Sequence, residues 1–249
     1  MCLPLWLLIV VDLSAGVLVA PTAVFLSEMD RTGRMMVQNP SDSPKEITVY
    51  LSFGIPESDS LGEVSVRLID SAITDPRSAV DWIRVFPRKL TLAPHDKQTI
   101  RFIARPPKGL PDGEYWARIV VRSEEGAAAI PSATESDGIT TTINMVMQTA
   151  ISLKYRTGNL ISKIEVVDTR IETHESQIDA LIDMINRGNV SYLGLLKTRL
   201  VDADRVEIVS HQMDLAVYRN LLRRVSLPLP EDGGFKKPYR LEVSITSEG

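Results

Sequence analysis

Few residues of this 249-residue chain are of the types that catalyse reactions or bind metals. The three histidines are His95, His174 and His211, and none has a second histidine at a spacing typical of metal ligands. The single cysteine, Cys2, lies in the first apolar run, so the rest of the chain offers no thiol nucleophile, disulfide or thiolate ligand. Each histidine is therefore more typical of a surface residue, and we expect no enzymatic activity, no cofactor and no metal.

The first sixteen residues are typical of an export signal. Residues 3–11 (LPLWLLIVV) form an apolar run that is too short to span a membrane as a helix, which takes about 20 apolar residues. Small residues follow, so cleavage after Gly16 would leave a mature chain that begins at Val17. The alternative is a buried strand, since no basic residue precedes the run and Asp12 ends it.

The composition and the apolar pattern favour β-sandwiches. A formal net charge of −4 gives no basic excess, which argues against nucleic-acid binding. Short alternating segments are separated by turn residues at intervals of roughly ten positions, as in an all-β sandwich protein. Residues 212–222 (QMDLAVYRNLL) fit either a short helix or a strand. The length suffices for two domains.

One long segment, residues 139–155 (ITTTINMVMQTAISLKY), divides the chain. Its odd positions are mostly apolar and its even positions mostly polar, so the two sets would face opposite sides of a strand. The segment is far longer than a usual strand of about 5–6 residues, and it would finish one sandwich and begin a second. We therefore predict an all-β protein with two tandem sandwich domains, at residues 17–156 and 157–249.

Several segments, taken in order, resemble the PapD-like chaperones that assemble pili and fimbriae. Residues 85–94 (VFPRKLTLAP), 98–101 (QTIR) and 110–116 (LPDGEYW) look like the mid-domain signature of that family. Residues 24–26 and 37–40 resemble its opening strand pair, and residues 151–156 (ISLKYR) resemble the entry to its second domain. The resemblance covers residues 20–156 well and the second domain in outline. It implies two immunoglobulin-like domains with a subunit-binding cleft between them.

The resemblance implies an ATP-independent periplasmic chaperone that donates a strand to an incomplete fibre subunit and passes it to an outer-membrane usher. By position relative to residues 155–156, the donated side chains would be Ile143, Met145 and Met147. Flexible thioethers suit a client that must later be released. The alternative is that these three fill the core of their own domain. A free donor edge promotes aggregation, so we expect it to be protected, for example in a homodimer.

Two positions depart from the family pattern. Family members hold the terminal carboxylate of the subunit with an arginine and a lysine, and the matching positions here are Ala23 and Ser152. Neither can pair with a carboxylate, whereas Lys154 lies on the same strand face about 7 Å along and could substitute. The resemblance also implies that Arg156 supports the inter-domain contact by pairing with Glu114. The alternatives are a solvated Lys154 and a non-donating structural or adaptor protein that uses this fold as a docking surface.

Overall fold

The structure is a computed structural model, and it describes residues 16–69, 74–125, 145–230 and 237–247. In these ranges it contains seventeen strands, one short 3₁₀ turn (Val80–Trp82) and no α-helix, so the predicted all-β class is confirmed. None of the described segments is a helix long and apolar enough to cross a membrane. Residues 1–15, which hold most of the expected export signal, lie outside the described residues, as does Ile143.

The first half of the chain folds into a sandwich of two sheets. Its strands are β1 (Leu18–Ala20), β2 (Ala23–Ser27), β3 (Thr32–Gln38), β4 (Lys45–Ser52), β5 (Pro56–Ser58), β6 (Val64–Val66), β7 (Ile83–Phe86), β8 (Lys89–Leu92), β9 (Lys97–Ala104), β10 (Gly113–Glu125) and β11 (Val146–Thr157). One sheet has the order β1-β3-β9-β7 and the other β2-β11-β10-β4-β8, while β5 and β6 form a separate hairpin.

The core of this sandwich follows from strand alternation. In residues 115–121 of β10 and 151–155 of β11, every second residue points between the sheets and is at most 6% exposed: Tyr115, Ala117, Ile119, Val121, Ile151, Leu153 and Tyr155. The Trp82 ring closes one end of the core, with its centroid 6.0 Å from the Tyr115 ring and 5.0 Å from the Tyr155 ring. The residues that alternate with them face outward, away from this core.

The second half of the chain forms a smaller sandwich of two three-stranded sheets. Its strands are β12 (Ile164–Thr173), β13 (Gln177–Asn186), β14 (Tyr192–Val201), β15 (Glu207–Val217), β16 (Asn220–Pro228) and β17 (Arg240–Ser247). The sheets have the orders β12-β13-β16 and β15-β14-β17, and a second apolar core lies between them. The predicted pair of tandem sandwich domains is therefore confirmed.

A helix at residues 212–222 is the wrong interpretation of that segment. These residues form the end of β15, a two-residue turn and the start of β16. Met213, Leu215 and Val217 all pack at the second core, which is the two-residue period of a strand.

The hairpin of β5 and β6 belongs to the first half of the sequence but packs on the second sandwich. Ser58 Oγ accepts a hydrogen bond from the Leu222 amide at 2.9 Å, and the Gly62 carbonyl accepts one from the Arg224 amide at 3.1 Å. Gly62 has a φ of +79°, and a Cβ there would lie 2.7 Å from the Arg224 nitrogen, so this close approach requires glycine. Val64 adds its side chain to the second core.

Replacing Leu153 by alanine tests the first core. Leu153 is fully buried, so the cavity left by Leu153→Ala should lower the free energy of unfolding by about 2–5 kcal/mol. Leu61→Ala is the matched control, because Leu61 is 56% exposed, and its effect should stay within about 0.5 kcal/mol. Urea denaturation followed by tryptophan fluorescence measures both. Equal losses in the two variants would contradict the assigned core.

Candidate functional site

Three cross-strand pairs line the outward face of β10 and β11, where the second sandwich packs. The antiparallel register places the members of each pair directly opposite one another. Because their neighbours along each strand face the core, all six side chains point to the other side of the sheet. We call this surface the inter-domain face; it consists of Glu114 with Arg156, Trp116 with Lys154, and Arg118 with Ser152.

The Glu114 carboxylate joins the two sandwiches. It is completely buried, and Arg156 Nε donates to its Oε2 at 2.8 Å, so the expected pair is present. Its Oε1 accepts hydrogen bonds from Trp116 Nε1 at 2.7 Å and from the hydroxyl of Ser191, in the second sandwich, at 2.5 Å. Lys154 Nζ lies 3.7 Å from the same oxygen. One carboxylate therefore gathers donors from both domains.

The pKa of Glu114 reflects these neighbouring groups. Burial by itself raises the pKa of Glu114, but the Lys154 charge and the hydrogen bonds from Ser191, Arg156 and Trp116 outweigh it. The net result is a pKa below the ordinary value for a glutamate. The folded protein therefore holds this group as a carboxylate.

Lys154 is not solvated, so that alternative is wrong. Its side chain is 2% exposed, and Nζ donates to Ser191 Oγ at 2.6 Å. The ammonium also lies 4.9 Å from the centroid of the Tyr218 ring and 5.8 Å from that of Phe25, so aromatic faces and Glu114 share its charge. Its role as the anchor for a subunit carboxylate stays a prediction.

Arg118 lies beside the two positions that depart from the family pattern, although no motif of the sequence marks it. It is 8% exposed, and its Nη1 donates at 2.6 Å to the hydroxyl of Ser152, whose partner in β2 is Ala23. Its Nε donates to the Gly54 carbonyl at 2.8 Å. Among the described residues, no acidic side chain forms an ion pair with Arg118. The alternation of residues 114–122 is the signal that places it on this face.

A second set of contacts holds the sandwiches together at one side of the inter-domain face. The Trp116 and Tyr218 rings meet edge to face, with centroids 5.0 Å apart. Arg219 extends over the Trp116 ring, and its Nη2 lies 2.8 and 2.7 Å from the two carboxylate oxygens of Asp75. These contacts and the Glu114 cluster fix the second sandwich against β10.

Among the described residues, one edge of β11 carries no strand partner over half its length. The parallel pairing with β2 covers only residues 152–156 of β11, because β1 pairs with β3 in the other sheet. In the described part of the chain, residues 146–151 therefore pair on one side alone, with β10. Met145, Val146 and Met147 are 41%, 44% and 40% exposed, so the two methionines do not fill the core of their own domain.

Comparison with known proteins gave matches among solved structures only. No protein-family model matches the chain, and no curated protein matches it. Similar structures include the periplasmic chaperone SfaE, at 14% identity and a TM-score of 0.48, over 92% of this chain and 98% of that one. The YadV chaperone matches at 13% identity and a TM-score of 0.47, over 93% of this chain and 94% of that one.

A third solved structure comes from Acinetobacter baumannii. A chain of its CsuC–CsuE chaperone–tip adhesion subunit complex, from archaic chaperone–usher Csu pili, matches at 11% identity and a TM-score of 0.46. The match covers 92% of this chain and 98% of that one.

Replacing Glu114 by glutamine tests the central role of its carboxylate. Glu114→Gln leaves Lys154 buried without its counter-ion, so the free energy of unfolding at neutral pH should fall by about 3–5 kcal/mol. A lowered folded-state pKa contributes stability that is present above the unfolded pKa and is lost as pH falls through the folded pKa. The difference between wild type and variant should therefore shrink on acidification.

Urea unfolding at a series of pH values measures this difference. Glu207→Gln is the control, because Glu207 also pairs with an arginine, Arg199, but on the exposed surface, so its replacement should change stability little. A difference between wild type and Glu114→Gln that stays constant down to the lowest pH would contradict the assignment.

Proposed function

We propose that this protein is an ATP-independent chaperone that binds incomplete fimbrial or surface-fibre subunits by donating a β-strand. The observation that carries the proposal is the half-paired edge of β11, with Met145 and Met147 exposed beside it. An unpaired edge offers main-chain N–H and C=O groups to an incoming strand, and its alternate side chains offer apolar contacts. Both requirements for strand addition meet in this one segment.

The side chains of β11 are arranged so that one strand can serve two cores. Ile151, Leu153 and Tyr155 point into the core of the first sandwich. Met145 and Met147 occupy the same strand face further along, beyond that core, because they keep the two-residue period. A subunit that lacks one strand would bury them in its own sandwich as this domain buries the other three. Ile143, outside the described residues, is the next member of the proposed set.

For the terminal carboxylate of the subunit, we propose Arg118 as the first contact. A nearly buried guanidinium with no acidic partner among the described residues is costly, and a carboxylate from the client would supply one through paired hydrogen bonds. Two of the five N–H groups of Arg118 already donate to Ser152 and Gly54, so the other three can donate hydrogen bonds to the carboxylate of the client. Lys154, in the neighbouring cross-strand pair of the inter-domain face, adds a second positive charge near Arg118.

The proposal includes a cellular route for the protein. The chain is exported to the periplasm, loses residues 1–16, caps its subunit and delivers it to an outer-membrane usher. Between clients, a second copy of the chain pairs with the β11 edge and protects it from aggregation. The support for this route is the apolar run at residues 3–11 together with the exposed edge.

A second candidate function is a structural or adaptor protein that docks partners without donating a strand. The absence of charge at Ala23 and Ser152 favours it, since family members use cations at both positions. In that case the β11 edge would be unimportant for binding. Substitutions along this edge therefore separate the two functions.

Charges placed on alternate residues of β11 test strand donation. The double variant Met145→Asp, Met147→Asp puts two carboxylates into the face that a subunit core would bury, so capture of the subunit should be lost. Val146→Asp is the matched control, because Val146 is equally exposed but points to the opposite face. This variant should still capture the subunit. Pull-down from periplasm, with mass spectrometry to identify the captured proteins, measures both.

The outcome decides between the two candidate functions. Loss of a small β-rich subunit in the double variant alone, with the variant folded by circular dichroism, supports donation. If the double variant captures the same subunit as wild type, strand donation is excluded and the adaptor function is left.

The free-acid and amide forms of one peptide test Arg118. A peptide of the last strand of the captured subunit should bind wild type more tightly as a free acid than as an amide, because only the acid carries the carboxylate. In Arg118→Met this preference should disappear. Arg122→Met is the control: Arg122 lies on the same strand face but already pairs with Glu124 at 3.0 Å, so its variant should keep the preference. Fluorescence anisotropy measures the affinities, and equal binding of acid and amide to wild type would refute the anchor.

A further inference from the structure

The hairpin of β12 and β13 brings three metal-binding types of side chain together at the far end of the second sandwich. Glu172 and Asp179 lie directly opposite one another, and His174 follows Glu172 by two residues, so all three share one face of the hairpin. The His174 amide donates to the Gln177 carbonyl at 2.9 Å, which closes the turn and holds the histidine beside Asp179. We propose that Glu172, His174 and Asp179 bind a zinc ion.

The distances between the candidate ligands fit a single metal ion. His174 Nε2 lies 3.4 Å from Asp179 Oδ2, and one ligand atom from each residue lies within 4.8 Å of the others. Two ligands at about 2.0–2.1 Å from a tetrahedral zinc are about 3.3 Å apart. His174 and Asp179 therefore already stand at the spacing that zinc requires, and Glu172 offers a carboxylate oxygen within 4.8 Å of both ligand atoms.

Asp179 is the observation that distinguishes this cluster from an ordinary group of surface charges. It points to the outward face of β13, since Ile178 and Ala180 on either side of it pack in the second core. It is nevertheless only 3% exposed, and no lysine or arginine of the described residues pairs with it. Gln177 Nε2 donates to its Oδ1 at 3.0 Å, which leaves Oδ2 directed at His174. A divalent cation would supply the charge that a buried carboxylate needs.

The chemistry of the three groups favours zinc over the harder cations. Zn²⁺ is bound in proteins by imidazole nitrogens and carboxylate oxygens, both of which this cluster supplies, whereas Mg²⁺ and Ca²⁺ prefer oxygen ligands alone. The Gln177 amide fixes the orientation of one ligating carboxylate, as groups around a metal centre commonly do. The bound ion would cross-link β12 to β13 and so stabilise the edge of the sheet. The site is independent of the proposed chaperone function.

Calorimetric titration of the full chain with ZnCl₂ tests the site. One zinc ion should bind per chain, and MgCl₂ at the same concentration should not bind. His174→Ala and Glu172→Gln should each weaken zinc binding by at least about tenfold, and both residues are exposed, so the variants should fold. His95→Ala is the matched control: His95 also lies beside an aspartate, Asp42, at 2.8 Å, but no described residue joins them as a third ligand, so its variant should bind as wild type does.

A thermal unfolding series provides the second readout. Zinc should raise the midpoint of wild type and of His95→Ala, because it binds the folded hairpin, and the same zinc concentration should raise the midpoints of His174→Ala and Glu172→Gln less. The proposal is overturned if wild type binds no zinc, if both hairpin variants bind it as tightly as wild type, or if His95→Ala loses as much affinity as His174→Ala.

Discussion

The arrangement of the two sandwiches depends on one carboxylate that has no contact with water. Taking a carboxylate out of water costs several kcal/mol unless charges and hydrogen bonds compensate it, and Glu114 obtains this compensation from both domains. Lys154 and Arg156 come from the first sandwich, and Ser191 comes from the second. If the sandwiches rotated apart, the carboxylate would lose part of its shell, so the low-energy arrangement of the domains is narrowly defined.

The two faces of β11 have separate tasks, and the pleat of the strand is what separates them. The face with Leu153 and Tyr155 builds the first core, and the face with Ser152 and Lys154 meets the second sandwich. On the N-terminal side of Ile151 the pairing of β11 with β2 has ended, and Met145, Val146 and Met147 are exposed instead of joining the first core. The half-paired edge with its two methionines lies in this stretch. Two consecutive segments of β11 thus carry the two functions: one holds the domains together, and the other is proposed to bind the subunit.

Much of this arrangement could be predicted from the sequence, because it rests on local alternation. The two-residue period gave the class, most of the strands and the two faces of β11, and the family resemblance gave the pair of Arg156 with Glu114. The segment at 212–222 was ambiguous, because leucines spaced across a turn between two strands also fit one side of a helix.

What could not be predicted depends on register between distant strands. Arg118 meets Ser152 only because β10 and β11 pair with one particular offset. Ser191 reaches Glu114 from 77 residues away, which no local pattern reports. Asp179 joins His174 because the turn between them is tight, so a sequence with single, well-separated histidines gave no sign of a metal site.

The hairpin of β5 and β6 has a consequence for the order in which the protein is made. It emerges from the ribosome long before β16, the strand on which it packs. Ser58, for example, is made 164 positions before Leu222, its hydrogen-bond partner in β16. The second sandwich then assembles on a piece of chain that the first half already carries. A fragment cut at the boundary between residues 156 and 157 would lack that piece, including the Val64 side chain in its core. The protein thus has two cores, but residues 157–249 do not make up the whole of the second domain. A recombination event that transferred residues 157–249 alone would leave the β5–β6 hairpin of that domain behind.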